Sequence, residues 1–172
     1  MEPGDALSAG AQIAVALAGF AGVVVALRRG SPHEWAPLDR YRLWLLLANS
    51  AVPLVSCLFA MVLLVVRPAP AWIWGWCSAC AILIQVPFLV FNSRNLRRLE
   101  PDSLRGTGTF RYVFYSLAIA GTTLIVCQIV NLALLNQFWI FFLGIAFQLT
   151  AGIVQFIRMI LLPAQESGGD NR

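Results

Sequence analysis

Four cysteines are the most reactive side chains in the sequence, and two of them form a C-x-x-C motif. Cys77 and Cys80 directly follow three tryptophans in the stretch WIWGWCSACAI, residues 72–82. Such a pair is typical of thiol oxidoreductases, in which a thiolate attacks a disulfide. Cys57 and Cys127 lie in other apolar segments, and all four thiols fall about 9 to 13 Å from the predicted helix ends. The four could therefore meet as one redox or metal cluster.

The surroundings of the cysteines favour structural packing over thiol chemistry. Each cysteine lies in an apolar run with no adjacent cation to stabilise a thiolate. The predicted outer loops are too short to carry a second cysteine pair that would accept electrons. Because cysteine is often used as a small, weakly polar packing residue, we expect four free thiols and no bound metal or other cofactor.

A second set of polar side chains recurs at helical spacing within the apolar segments. In hydrocarbon these groups need hydrogen-bond partners, so we expect their faces to point towards one another. They would then either hold the helices together or line a polar cavity or pore. The set comprises Asn49, Ser56, Gln85, Thr123, Gln128, Asn131, Gln148 and Gln155.

The apolar segments contain no Asp, Glu, His or Lys. A proton-coupled pump or a carboxylate-selective cation channel ordinarily places an acid within the membrane. Uncharged amides and hydroxyls instead suit a neutral solute, a weakly selective pore or a lipid-like ligand. Arg158 lies about 30 Å along its helix from Phe138, where we expect it to reach the membrane surface. His33, the single histidine, is expected to be a solvated loop residue.

The elements that position these residues follow from composition and length. Of the 172 residues, 59% are hydrophobic and 12% are charged, against roughly 45–50% and 25% in soluble domains. A membrane-spanning helix needs about 20 apolar residues, and the chain has five such runs. We predict an all-α bundle of five transmembrane helices in one domain, 1–164, followed by a disordered cytoplasmic tail, 165–172. The predicted spans are 11–27, 43–66, 71–91, 112–135 and 138–162.

The boundary between the last two spans is fixed by length. Residues 112–157 carry no charge, and as a single helix they would extend about 69 Å, more than twice the hydrocarbon thickness. The chain must therefore fold back, and Asn136-Gln137 is the polar break.

The arginines predict how the bundle is oriented. All twelve basic residues are Arg, and in the predicted topology eleven lie on one side with Arg67 alone on the other. Cytoplasmic loops carry the excess of positive charge, so we expect the N-terminus outside and the C-terminus in the cytoplasm. Tryptophans at the predicted helix ends agree with this arrangement. The net charge of +4 is thus explained without a nucleic-acid partner.

The first span carries small residues four positions apart, namely Ala14, Ala18, Gly22 and Ala26. Such a ladder allows two helix backbones to approach closely. It could pack within the monomer or form a contact between copies of the chain. We expect a homo-oligomer surrounded by lipid, with another membrane protein as the alternative partner.

Three stretches resemble a family of small bacterial multi-span membrane proteins. They are GFAGVVVALRRG at 19–30, PLDRYRLWLLL at 37–47 and VQFIRMILL at 154–162, together about a fifth of the chain. The resemblance covers parts of the first two spans and of the last. It implies an integral protein of the bacterial cytoplasmic membrane and no particular activity.

Three functions of different classes are consistent with these features. The first, which we favour, is a homo-oligomeric pore or permeation protein for ions or small neutral solutes. The second is a non-catalytic accessory or scaffold subunit of a membrane complex. The third, and the only enzyme among them, is a membrane thiol oxidoreductase that uses the C-x-x-C motif.

Overall fold

Five long helices account for almost all of the structure, which is a computed structural model. It describes residues 2–27, 35, 37–66, 71–98 and 108–161, and all regular structure within them is helical. Helix α4 continues directly into a five-residue π-helix, Asn131–Leu135. The helices are α1 Pro3–Leu27, α2 Pro37–Val65, α3 Ile73–Arg98, α4 Gly108–Val130 and α5 Phe138–Leu161.

Each of these five helices is long and apolar enough to cross a membrane, with a mean hydropathy between 1.8 and 2.1 over its span. The predicted all-α, five-span architecture is confirmed at this level. The helices extend beyond the apolar runs: α1 begins at Pro3 rather than at residue 11, since proline suits the first turn of a helix. The connection 67–70 between the second and third predicted spans, the predicted tail 165–172 and His33 lie outside the described residues.

Helices α1, α2 and α5 form the centre of the bundle. A Cβ atom at Gly10 of α1 would lie 3.2 Å from Cys57 Sγ and 3.6 Å from Ile145. Further along, a Cβ at Gly152 would lie 3.3 Å from Leu17 and 3.6 Å from Asn49 Cβ. Helix α1 therefore runs parallel to α5 and antiparallel to α2, as in an up-and-down bundle with short connections.

Two apolar clusters occupy the two ends of this centre. The first includes Leu7, Cys57, Cys77 and Phe141, all of which are almost completely buried. The second lies at the end where α2 begins, and its members include Ala21, Val24, Trp35, Leu46 and Met159.

Helix α4 is attached to the side of the bundle. Only 11% of its membrane span is buried within the protein, against 50% of the span of α5. It contacts α3 and α5. Because most of α4 would face lipid, its position depends strongly on the few residues that join it to its neighbours.

Charged residues are distributed unevenly between the two ends of the bundle. Arg40 and Arg42, which precede the predicted start of the second span at residue 43, lie in the first turns of α2 because that helix begins at Pro37. Arg42 forms an ion pair with Asp39 at 3.1 Å. Arg158 lies in the last turn of α5, at the same end.

Candidate functional site

Polar residues within the helices fall into two groups. The first, which we call the amide hub, consists of Ser78, Gln128, Asn131 and Asn136. It lies where α3 begins, α4 ends and α5 begins. The first three of these residues are completely buried.

Hydrogen bonds run through the amide hub without interruption. The side-chain amide of Asn131 donates to Ser78 Oγ at 2.8 Å, and the Ser78 hydroxyl donates to Gln128 Oε1 at 2.7 Å. Gln128 Nε2 in turn donates to the main-chain oxygen of Ile140 at 3.1 Å. Such chains polarise one another and are strong in a low-dielectric interior. The hub therefore ties α4 to both α3 and α5.

The turn between α4 and α5 completes the hub. Asn136 has φ 48°, in the left-handed region that asparagine tolerates better than most residues. Its side-chain oxygen accepts a hydrogen bond from the Gly75 main-chain N–H at 3.0 Å, which satisfies a free donor in the first turn of α3. The Trp72 indole N–H donates to the main-chain oxygen of Leu132 at 2.9 Å. The predicted polar break is thus also the start of a helix contact.

The second group lines a cavity between α2, α3, α4 and α5. Its volume is about 100 Å³, which is room for several water molecules or for one small solute. Helix α4 contributes only apolar and glycine side chains to its wall. The polar members of this amide-lined cavity are Asn49, Gln85, Asn92, Gln148 and Gln155.

Gln148 has the most unusual environment in the cavity. Its side chain is only 7% exposed, and its Oε1 atom is buried without a hydrogen-bond partner. A buried amide oxygen in that state is costly, and most such groups in proteins are paired with protein or with water. By contrast, Asn49 Nδ2 donates to the Leu45 main-chain oxygen, and Asn92 Oδ1 accepts from the Tyr41 hydroxyl.

Gly144 is the point at which the hub and the cavity meet. It lines the cavity, and a Cβ atom there would lie 2.7 Å from Gln128 Nε2 and 3.9 Å from Gln85 Nε2. Because Gly144 has no side chain, the Gln128 amide has room to reach the main-chain oxygens of α5 to which it donates.

The hydroxyl residues of the predicted polar set lie in neither group. Thr123 is exposed on α4 and donates to the Ile119 main-chain oxygen of its own helix. Ser56 is buried, and it donates to Val52 in the same way. Of the eight predicted polar residues, the cavity brings together Asn49, Gln85, Gln148 and Gln155, and the hub contains Gln128 and Asn131.

The four cysteines are free thiols in the structure. Cys57 and Cys77 are both completely buried in the first apolar cluster, whereas Cys80 and Cys127 are partly exposed. Within the described part of the chain, no three His, Cys, Asp or Glu side chains are grouped as metal ligands would be.

The small-residue ladder of α1 lies mainly on the outside of the bundle. Ala14 is completely buried, but Ala18, Gly22 and Ala26 are exposed. A Cβ atom at Gly22 would have no neighbour within 4 Å. Three of the four positions therefore face what would be lipid or another chain.

Sequence reasoning missed two components of the hub. Ser78 lies inside the C-x-x-C motif, and the motif alone predicts a role for its two cysteines but not for the serine between them. Asn136 was assigned to a turn, although an asparagine between two apolar helices is also a typical helix cap. The feature of the sequence that indicates such a cap is the position of Asn136 beside Gln137 in a segment without charge.

The fold and its apolar surface define an integral membrane protein of the polytopic helical class. Comparison of the chain with protein families, with curated proteins and with solved structures found no match. The arrangement of its own residues is therefore the basis for the functional proposal.

Proposed function

We propose that the protein is a permeation protein for small neutral solutes and that the amide-lined cavity is its selective site. The observation that carries the proposal is a cavity between membrane-spanning helices whose polar lining consists of uncharged amide side chains, among them Gln85, Gln148 and Gln155. Amides can replace the hydrogen bonds that a solute loses when it leaves water, without attracting an ion.

The charge distribution around the cavity supports a neutral solute over an ion. None of the residues that line it is charged, and an ion at that depth would need a compensating charge or a ring of oriented oxygens.

Flux through reconstituted protein tests this proposal. Proteoliposomes exposed to gradients of urea or glycerol should equilibrate faster than protein-free vesicles when followed by stopped-flow light scattering. Gln148→Leu removes the amide and is expected to lower that flux about tenfold, the effect of losing about one buried hydrogen bond. Thr123→Val is the matched control, because its hydroxyl lies outside the cavity.

Two outcomes would contradict permeation. Equal solute flux with and without protein would remove the function altogether. Equal flux for wild type and Gln148→Leu, with both above protein-free vesicles, would place the path elsewhere, for example at an axis between subunits.

We propose that this protein lies in a bacterial cytoplasmic membrane with its N-terminus outside. In the described part, Arg40, Arg42, Arg94 and Arg158 lie at one end of the bundle, whereas Glu2 and Asp5 lie at the other. Single cysteines introduced at Ser31 and Gly106, in a variant without the native cysteines, should react only with cytoplasmic reagents. Labelling of either position by an impermeant reagent added outside would contradict the proposed orientation.

The outward-facing ladder of α1 supports self-association. Gly22→Leu is expected to convert the oligomer to smaller species on size exclusion in detergent, because leucine prevents close backbone approach. The fold itself should tolerate the change, since nothing lies within 4 Å of the added Cβ. Ala16→Leu, at another exposed position of α1, is the control. Unchanged assembly of Gly22→Leu would contradict this contact.

The same face supports the alternative of an accessory subunit. A ladder that lies outside the bundle can pack against a different membrane protein as well as against a second copy. Recovery of one larger complex by mild detergent extraction from the native membrane, together with no solute flux, would favour that function.

A further inference from the structure

We propose that helix α4 is a movable wall of the amide-lined cavity, which tilts about the amide hub and so opens and closes the cavity. The proposal rests on the proposed permeation function in one respect, because the cavity that the wall closes is the one assigned to the solute. The contrast between two attachments of α4 carries it, since α4 is held by hydrogen bonds at the hub and by apolar packing beside the cavity.

Helix α4 separates the cavity from the outside of the bundle. One of its faces lines the cavity, through Leu117, Ala118, Gly121, Leu124 and Ile125. Residues on its other side, including Ile119 and Val126, are exposed, and in a membrane they would contact lipid. On this side, therefore, the thickness of one helix lies between the cavity and the hydrocarbon.

The other three helices around the cavity are held to one another at its level. The Tyr41 hydroxyl of α2 donates to Asn92 Oδ1 of α3. A Cβ atom at Gly152 of α5 would lie 3.6 Å from the Cβ atom of Asn49 in α2. Asn49 and Asn92 themselves line the cavity. Helices α2, α3 and α5 thus form a fixed frame against which α4 can move.

Beside the cavity, α4 has no polar contact with this fixed frame. Among the residues that the structure describes, none from 117 to 126 makes a side-chain hydrogen bond to another helix, and Thr122 and Thr123 donate to carbonyls of α4 itself. A Cβ atom at Gly121 would lie 3.6 Å from the Phe147 ring, which is an ordinary apolar contact. Because lipid tails are as apolar as these side chains, separation at this level loses only packing.

The hub fixes the opposite end of α4 and makes it a pivot. Gln128 and Asn131 are hydrogen-bonded to α5 and α3 there, and a π-helical turn follows, closed by the Asn136 N–H and the Asn131 carbonyl at 3.0 Å. At about 1.5 Å per residue, Leu117 lies about 16 Å from Gln128, so a tilt of about 10° would move Leu117 by about 3 Å. Such movement of one element against a fixed one is a common form of gating.

Distances between pairs of spin labels measure this motion. In a variant without the native cysteines, Val15→Cys on α1 is combined in turn with Ile119→Cys or Ile129→Cys on α4, or with Ile157→Cys on α5. All four positions are exposed. Labelled protein is diluted with unlabelled protein in lipid nanodiscs, so that double electron–electron resonance reports distances within one chain.

The distance distribution between Val15 and Ile119 should be broader than the other two by about 2 Å, the displacement that a tilt of about 10° gives nine residues from Gln128. Ile157, which lies farther from the hub but on α5, is the control. Equal widths for all three pairs would contradict the pivot. A broad distribution for Ile129 would do so as well, because α4 would then move as a whole, and one for Ile157 would place the motion in the frame.

A reversible cross-link connects the motion with flux. Gly121→Cys and Phe147→Cys, in the same background, are joined by a short bifunctional methanethiosulfonate. Flux in proteoliposomes should then fall below that of the same protein treated with a monofunctional reagent, and dithiothreitol should remove the difference. Equal flux with both reagents, above that of protein-free vesicles, would contradict a gating role for α4.

Because the spin-label distances are measured without a gradient, the two proposals fail separately. A pivoting α4 in a protein without solute flux would remove permeation and leave the movable wall. Flux through a protein whose α4 does not pivot would remove the movable wall and leave permeation.

Discussion

Substitution of Gln128 by leucine is expected to lower the free energy of unfolding by about 2 kcal/mol. The side chain is completely buried and joins α4 to α3 through Ser78 and to α5 through the Ile140 carbonyl. Leucine fills a similar volume but leaves those partners without their hydrogen bonds. Since α4 has few other buried contacts, the loss should be concentrated on its attachment. Unfolding in mixed detergent micelles, followed by tryptophan fluorescence, measures the change.

Thr123→Val provides the comparison on the same helix. That hydroxyl bonds to its own helix and is exposed, so its removal should change stability by less than about 0.5 kcal/mol. If the two substitutions had equal effects, the hub could not be what holds α4.

Gly144→Ala is expected to destabilise the protein by about 1 to 2 kcal/mol, although alanine is the better helix former by about 1 kcal/mol. The added Cβ would lie 2.7 Å from Gln128 Nε2 and displace the amide from its acceptors on α5. Gly121→Ala is the matched control, because its Cβ would lie 3.6 Å from Phe147, an ordinary contact. It should be neutral or slightly stabilising in the same unfolding measurement.

A double-mutant cycle gives this prediction a sharper form. In a Gln128→Ala background the displaced amide is absent, so Gly144→Ala should no longer destabilise and should show only its helix-forming advantage. Additive effects of the two substitutions would mean that Gly144 acts through another neighbour, such as Gln85.

The number of helices could be predicted from the sequence because hydrocarbon allows few alternatives. Five apolar runs must be helical within a bilayer, and the charge-free stretch 112–157 had to turn at Asn136. The helix ends were less predictable. Hydropathy reports where lipid ends, whereas a helix continues as far as its main-chain hydrogen bonds and caps permit, so α1 begins at Pro3 and α3 reaches Arg98.

The direction of polar side chains was predictable for amides and not for hydroxyls. A threonine can donate to the carbonyl four residues earlier, so Thr122, Thr123 and Thr150 satisfy themselves while exposed. Glutamine has both a donor group and an acceptor to satisfy, and Gln128 and Gln148 face the interior. Helical spacing alone therefore groups hydroxyl residues that bond to their own helix with amide residues that face the interior. It also could not separate Gln128 in the hub from Gln148 in the cavity.

The central position of α5 affects how the protein is made in the cell. Ribosomes add about 5 to 20 residues per second, so α5 emerges about 5 to 20 seconds after α2 is complete. During that interval Leu17 and Asn49 have no α5 to pack against. In this state the nascent chain exposes the faces of α1 and α2 that α5 later covers, and membrane insertases and quality-control proteases can bind them. Synthesis that stalls before α5 should therefore yield a product marked for degradation rather than a partly active protein.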